Sequence, residues 1–112
     1  MTAPHQPNPF TGSWRGTWQG RQSNGSWTWH VSPDGAMLGT ADTKGNPVTA
    51  TITGRITGSG ELSYGYKYKA ERAGKGVISI LDPDTLQIRW QDFDDGFLYN
   101  DGESTMRRIE PV

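Results

Sequence analysis

The stretch "GSWRGTWQG", Gly12 to Gly20, decides the fold of this chain. Two tryptophans four residues apart, set among glycines, stand where a first strand should begin. The chain closes on "TMRRIEP", Thr105 to Pro111, a segment with paired arginines where a last strand should end. A small domain that places two of its largest side chains in its opening strand needs them for something structural, for a ligand, or for both.

The segments between these ends alternate with a period of two, the signature of half-buried strands, and no window from Gly12 onward carries a helical period. "SWTWHV" sets Trp27, Trp29 and Val31 against Ser26, Thr28 and His30. "VTATITGRI" sets Val48, Ala50, Ile52, Gly54 and Ile56 against Thr49, Thr51, Thr53 and Arg55. "LSYGYKYK" separates Leu62, Tyr64, Tyr66 and Tyr68 from Ser63, Gly65, Lys67 and Lys69, and "LQIRWQD" separates Leu86, Ile88, Trp90 and Asp92 from Gln87, Arg89 and Gln91.

Turn-forming clusters punctuate these runs: Ser23-Asn24-Gly25, Pro33-Asp34-Gly35, Lys44-Gly45-Asn46, Thr57 to Gly60, the "AERAGK" link, Asp82-Pro83-Asp84 and Asp94-Asp95-Gly96. Glycine and Asx residues supply the positive φ that tight hairpins require. The intervals predict eight strands, over about 13–20, 25–32, 36–42, 47–56, 61–69, 75–81, 85–93 and 97–109, the last kinked at Asn100-Asp101-Gly102. Hairpin-sized connections make consecutive strands neighbours, and an eight-strand meander escapes two long edges by closing on itself. The expected fold is therefore all-β, an eight-stranded antiparallel up-and-down (meander) barrel. Residues 1–11, with Pro4, Pro7 and Pro9, read as a flexible tail, and 12–112 as one barrel domain.

The G-x-W copies Gly12-Ser13-Trp14 and Gly16-Thr17-Trp18, with a basic residue on the final strand, resemble the calycin superfamily of lipocalins, fatty-acid-binding proteins and avidins. That resemblance implies an arginine packed across a tryptophan to close one barrel end. Trp14 or Trp18 would be the plug, and Arg108, which shares the face of Met106, the lid. A guanidinium stacks well on an indole face and reaches neighbouring carbonyls. Residues 16–55 are most similar to avidins, through Gly-Thr-Trp, a Gly-Ser hairpin, Asp-Gly-Ala, Gly-Thr, a Gly-Asn turn and "TGR" at Thr53–Arg55. By that likeness Ser26 and Asn46 match biotin-contacting positions, but Ala41 stands where a tyrosine is expected. Bacterial metalloprotease inhibitors share the barrel as well, with disulfides that this chain cannot form.

Composition narrows the function classes. The net charge of −1 over 112 residues gives no electrostatic argument for nucleic acid or an anionic membrane. "YGYKYK" interleaves aromatics with lysines, but alternation puts the two on opposite faces. The absence of cysteine excludes disulfides and thiolate metal sites. "MTAPHQPNPF" has no signal-peptide pattern and no run is long enough to span a membrane, so a cytoplasmic protein and one exported after leader removal both remain open. No metal or cofactor is expected. The acidic run "DFDDGFLYNDGE" lacks calcium-loop spacing, and His30 faces outward without a partner for catalysis.

An eight-stranded barrel is just wide enough to be filled by side chains or to hold one small ligand. Trp27, Trp29, Tyr64, Tyr66, Tyr68, Trp90 and Asp92 form the expected ligand-binding set: aromatic walls with polar tips, and a carboxylate near the mouth able to anchor an amine or hydroxyl. Three tyrosine hydroxyls are hard to satisfy in a dry core. The leading expectation is non-enzymatic binding of a small apolar or aromatic molecule. The alternatives are a protein-interaction or inhibitor module with a filled core, acting through loops and tail, and a small barrel cyclase or isomerase using Asp92 and the tyrosines. Outward faces rich in Thr, Lys, Arg and Gln point to a monomer or weak homodimer.

Overall fold

A computed structural model describes residues 8–67 and 71–109 of the chain. Eight antiparallel strands follow in chain order: β1 (Gly12–Gly20), β2 (Asn24–Val31), β3 (Ala36–Thr43), β4 (Thr49–Ile56), β5 (Glu61–Lys67), β6 (Glu71–Asp82), β7 (Thr85–Asp94) and β8 (Phe97–Arg108). Each pairs with the next, and β1 pairs with β8 from Trp14↔Arg108 to Gly20↔Gly102, so the sheet closes into a barrel. This is the meander barrel expected from the turn spacing. Closure leaves every strand with two partners and removes the open edges that would template aggregation.

The inward face is built from large side chains set beside very small ones. Trp27 has Gly16 and Ala41 as its cross-strand neighbours, and Trp29 has Gly39 on one side. Tyr64 lies between Gly54 and Gly74, and Trp90 between Gly76 and Gly102. Indoles and phenols cannot stand side by side in a barrel this narrow, so the glycines make the room and the rings interdigitate at interior density. Core residues such as Trp14, Trp29, Ile52, Leu86, Ile88 and Met106 are fully buried as a result.

Two departures from alternation matter for the site. "AERAGK" reads as a link, yet Glu71 to Lys75 belong to β6 and only residues 68–70 separate it from β5. The inward positions of that strand are Arg72, Gly74, Gly76 and Ile78, so its first half carries no apolar signal. In β8 the kink falls one residue before its expected start. Asp92 pairs with Asn100 but Phe93 with Leu98, which makes Tyr99 the extra residue of a β-bulge. Val48, expected to face inward, precedes β4 and is exposed.

One end of the barrel is shut. Arg108 lies over the Trp14 ring with its guanidinium carbon 4.3 Å from the centroid. Its Nη1 donates to the Thr11 carbonyl at 2.9 Å and its Nη2 to the Pro83 carbonyl at 3.1 Å. The Trp14 indole N–H donates to the Phe10 carbonyl at 2.9 Å. Phe10 is itself buried in the core cluster, and the Asn8 side chain reaches the Ile56 carbonyl. Residues 8–11, which the sequence placed in the tail, are thus seated against this end. Met1 to Pro7 lie outside the described residues.

Candidate functional site

The opposite end opens into a cavity of about 230 Å³. Trp18, Trp27, Tyr64 and Trp90 form its walls with Ala41 and Ile52, while Ser23, Asn46, Arg72 and Tyr99 come from the rim of hairpins and strand ends. The rings meet mostly edge to face, the arrangement their quadrupoles favour. Trp18 and Trp90 stand perpendicular at 5.5 Å, and Trp27 meets Tyr64 at 6.2 Å and 87°. Tyr64 and Tyr66 stack at 6.2 Å.

The structure brings together five residues of the expected ligand-binding set: Trp27, Tyr64, Tyr66, Trp90 and Asp92. Trp29 does not reach the cavity; it is fully buried beneath Trp27, 4.9 Å between centroids. Tyr68 lies outside the described residues. The two opening tryptophans serve different ends. Trp14 meets Arg108, whereas Trp18, four residues and about 13 Å further along the strand, lines the cavity. Asn46 is on the rim, Ser26 is absent from the lining, and its carbonyl accepts from the Trp18 indole at 3.2 Å. His30 is on the outer surface, bonded through Nδ1 to the Ser13 hydroxyl at 2.7 Å.

Asp92 is the polar centre of the site. It is buried, its Oδ1 accepts from the Tyr64 hydroxyl, and its Oδ2 accepts from the Tyr66 hydroxyl at 2.7 Å. Tyr64 on β5 reaches β7 because the intervening β6 residue is Gly74, the cross-strand neighbour of both Tyr64 and Asp92. Burial raises the Asp92 carboxyl above the ordinary carboxylate value, opposed by the two phenolic hydrogen bonds and by the Arg72 charge. Burial, and then the Asp92 charge and hydrogen bonds, push both phenols above the usual tyrosine range.

Four contributors escape a reading of the sequence. Arg72 lies in what reads as a link; its guanidinium stands 4.0 Å over the Tyr99 ring and pairs with Asp94 at 3.6 Å. Tyr99 reaches the mouth from the bulge, which no alternation rule anticipates. Asn100 is buried beside Asp92 and takes the Gln22 backbone N–H at 2.9 Å. Ser104 accepts the Trp27 indole N–H at 2.8 Å and donates to the Thr17 carbonyl at 2.6 Å, fixing the Trp27 ring. The Trp90 indole N–H and the Arg72 Nε–H are buried without a hydrogen-bond partner among the described residues. No group of three metal-ligating side chains occurs among them.

No protein-family model matches the chain, and no curated protein sequence matches it. Solved structures do. A de novo designed fluorescence-activating β-barrel is similar with a TM-score of 0.68 at 14% identity, over 96% of this chain and 100% of that one. A redesigned β-barrel, mFAP1, bound to DFHBI, gives 0.66 at 16% identity over 94% and 100%. EF1p2_mFAP2b, also bound to DFHBI, gives 0.66 at 15% over 90% and 94%. At such identities the likeness is one of fold: this chain is a closed eight-stranded antiparallel β-barrel of the same architecture.

Proposed function

We propose that the protein binds a small, flat, partly apolar molecule in the open end of its barrel, without chemistry on it. The observation that carries this reading is the unfilled space at the open end: about 230 Å³ lined by three indoles and three phenols beside one buried carboxylate. A cavity of roughly 150 Å³ is enough to hold a benzene ring, so this one suits one or two fused rings. Two solved barrels of similar fold are bound to DFHBI, which supports small-molecule binding by a barrel of this architecture. Trp27, Tyr64, Tyr66, Trp90 and Asp92 would contact it, joined by Trp18, Arg72 and Tyr99. Trp14 and Arg108 would keep the other end shut, the division of labour that the calycin resemblance implies.

Native mass spectrometry of freshly purified protein tests the reading. A reproducible extra mass that disappears on denaturation is expected, and Trp90→Phe or Tyr66→Phe should weaken its retention while the barrel stays folded. A bare mass, together with no saturable change in tryptophan fluorescence across a library of one- and two-ring aromatics, would overturn it. The exposed Phe97 and Leu98 on the β7–β8 hairpin favour a second reading, a protein-interaction module acting through its loops.

A further inference from the structure

The cavity holds one carboxylate without a counterion against it. Asp92 lines the space at 8% exposure, and among the described residues the groups that meet its two oxygens are the neutral hydroxyls of Tyr64 and Tyr66. Each oxygen has accepted one of these hydrogen bonds and keeps the capacity for another. Tyr66 lies nearer the open end of β5 than Tyr64 and is only partly buried, so Oδ2 is the oxygen on the mouth side. Arg72 is the cation among the described lining residues, and its charge is committed elsewhere. It pairs with Asp94 at 3.6 Å and stands 4.0 Å over the Tyr99 ring. Its effect on the Asp92 carboxyl is weaker than that of burial or of either phenol. Arg72 with Asp94 makes a neutral pair, and Asp92 is left over.

A buried carboxylate served by neutral donors is poorly compensated, and a ligand that brings a positive charge supplies what the protein lacks. The walls favour the same sign. Trp18 and Trp90 stand 5.5 Å apart, Trp27 and Tyr64 6.2 Å, and Trp27 and Trp90 6.4 Å, so a cation in this space lies within reach of more than one ring. An anion would meet Asp92 where water screens little. A neutral donor would fill an open lone pair and leave the charge as it was. The volume of about 230 Å³ admits one ring with a short side arm.

We infer that the cavity takes a protonated aryl-alkyl amine, its ring among the indoles and phenols and its ammonium group donating to the Asp92 carboxylate. This rests on the small-molecule reading above. Asp92 is then the residue that sets specificity, since the aromatic walls attract a cation but accept a neutral ring as well. Arg72 opposes the ligand's charge and holds the rim through Tyr99 and Asp94.

The test is a set of shape-matched probes titrated by tryptophan fluorescence and calorimetry at about pH 8, where an alkyl amine is protonated. The probes are 2-phenylethylamine, its N-trimethyl derivative, 2-phenylethanol and 3-phenylpropanoate. The primary amine is expected to bind at least about tenfold more tightly than the alcohol, since a hydrogen bond between charged groups replaces a neutral one. The trimethyl derivative, which cannot donate, should be weaker than the primary amine, and the propanoate should be weakest. In Asp92→Asn the ratio of amine to alcohol affinity should fall toward one. Should that variant not fold, Arg72→Met reads the same ratio in the opposite direction, because removing the opposing charge should raise it. Alcohol equal to amine, trimethyl derivative equal to amine, propanoate tighter than amine, or a ratio unmoved in the folded variant overturns the inference while leaving small-molecule binding intact. No saturable binding by any probe overturns the inference alone, and joined to a bare native mass it overturns both.

Discussion

Gly74 is the gap through which Tyr64 reaches Asp92. A methyl group at position 74 would lie 2.2 Å from the Tyr64 Cζ and 2.4 Å from its hydroxyl oxygen, closer than any side chain tolerates. Gly74→Ala should therefore push the phenol off the carboxylate and cost about 1–3 kcal/mol by overpacking. Gly65→Ala is the control, because its added methyl meets only the Arg72 carbonyl at an ordinary 3.6 Å. Urea unfolding of the two variants checks this, and equal losses would show that the close approach at position 74 is without consequence.

The buried carboxyl should leave a mark on acid stability. Its folded value is raised above the unfolded value of 3.8, so the stabilisation from holding the proton is fully present below that value and is lost as pH rises through the folded one. Relative to Asp92→Asn, the native protein should lose stability as pH climbs past about 4, and the difference should flatten once Asp92 is charged in both states. Unfolding free energies of the pair between about pH 3 and pH 8 measure it, and a flat difference would mean that Asp92 is not desolvated.

The phenols act at the other extreme. Both folded values lie above the ordinary tyrosine value of 10.0, so their contribution is complete below pH 10.0 and is lost as pH rises beyond it. Ultraviolet titration should show tyrosines that ionise only with unfolding. Tyr64→Phe and Tyr66→Phe should each make stability less steep above that pH. Ordinary titration of every tyrosine in the intact barrel would contradict this.

At the closed end, Arg108→Ala removes a stacked cation and the hydrogen bonds to Thr11 and Pro83. A loss of about 1–3 kcal/mol is expected. Arg108→Lys should recover only part of it, since a lysine cannot serve both carbonyls and the ring with one planar fork. Probe affinity at the far end should not move, and a weakened affinity would mean that the two ends communicate.

How far the sequence is legible follows from what each strand points inward. β2, β4 and β7 carry Trp, Ile or Leu on their inner face, and their alternation places Trp27, Trp90 and Asp92 without a structure. β6 points Arg72, Gly74 and Gly76 inward, so the strand that bridges Tyr64 to Asp92 looks like a loop. Its glycines are there because their neighbours are large, information held on β5 and β7 rather than locally. Tyr99 is hidden for a different reason. A bulge breaks the phase of β8, and nothing in "FLYNDG" says which residue it will expel. The closing arginine can be chosen by its face, but that Trp14 and not Trp18 meets it depends on the β1–β8 register.

That same register gives the molecule a front and a back. β1 begins and β8 finishes side by side at the shut end, with Trp14 opposite Arg108, while the cavity opens some distance away along the barrel axis. A tether, tag or fused partner attached through either of these strand ends would hold the barrel by its base with the opening turned outward. The protein can thus be anchored to a surface like a cup on a stand, with its contents exchanging freely above the point of attachment.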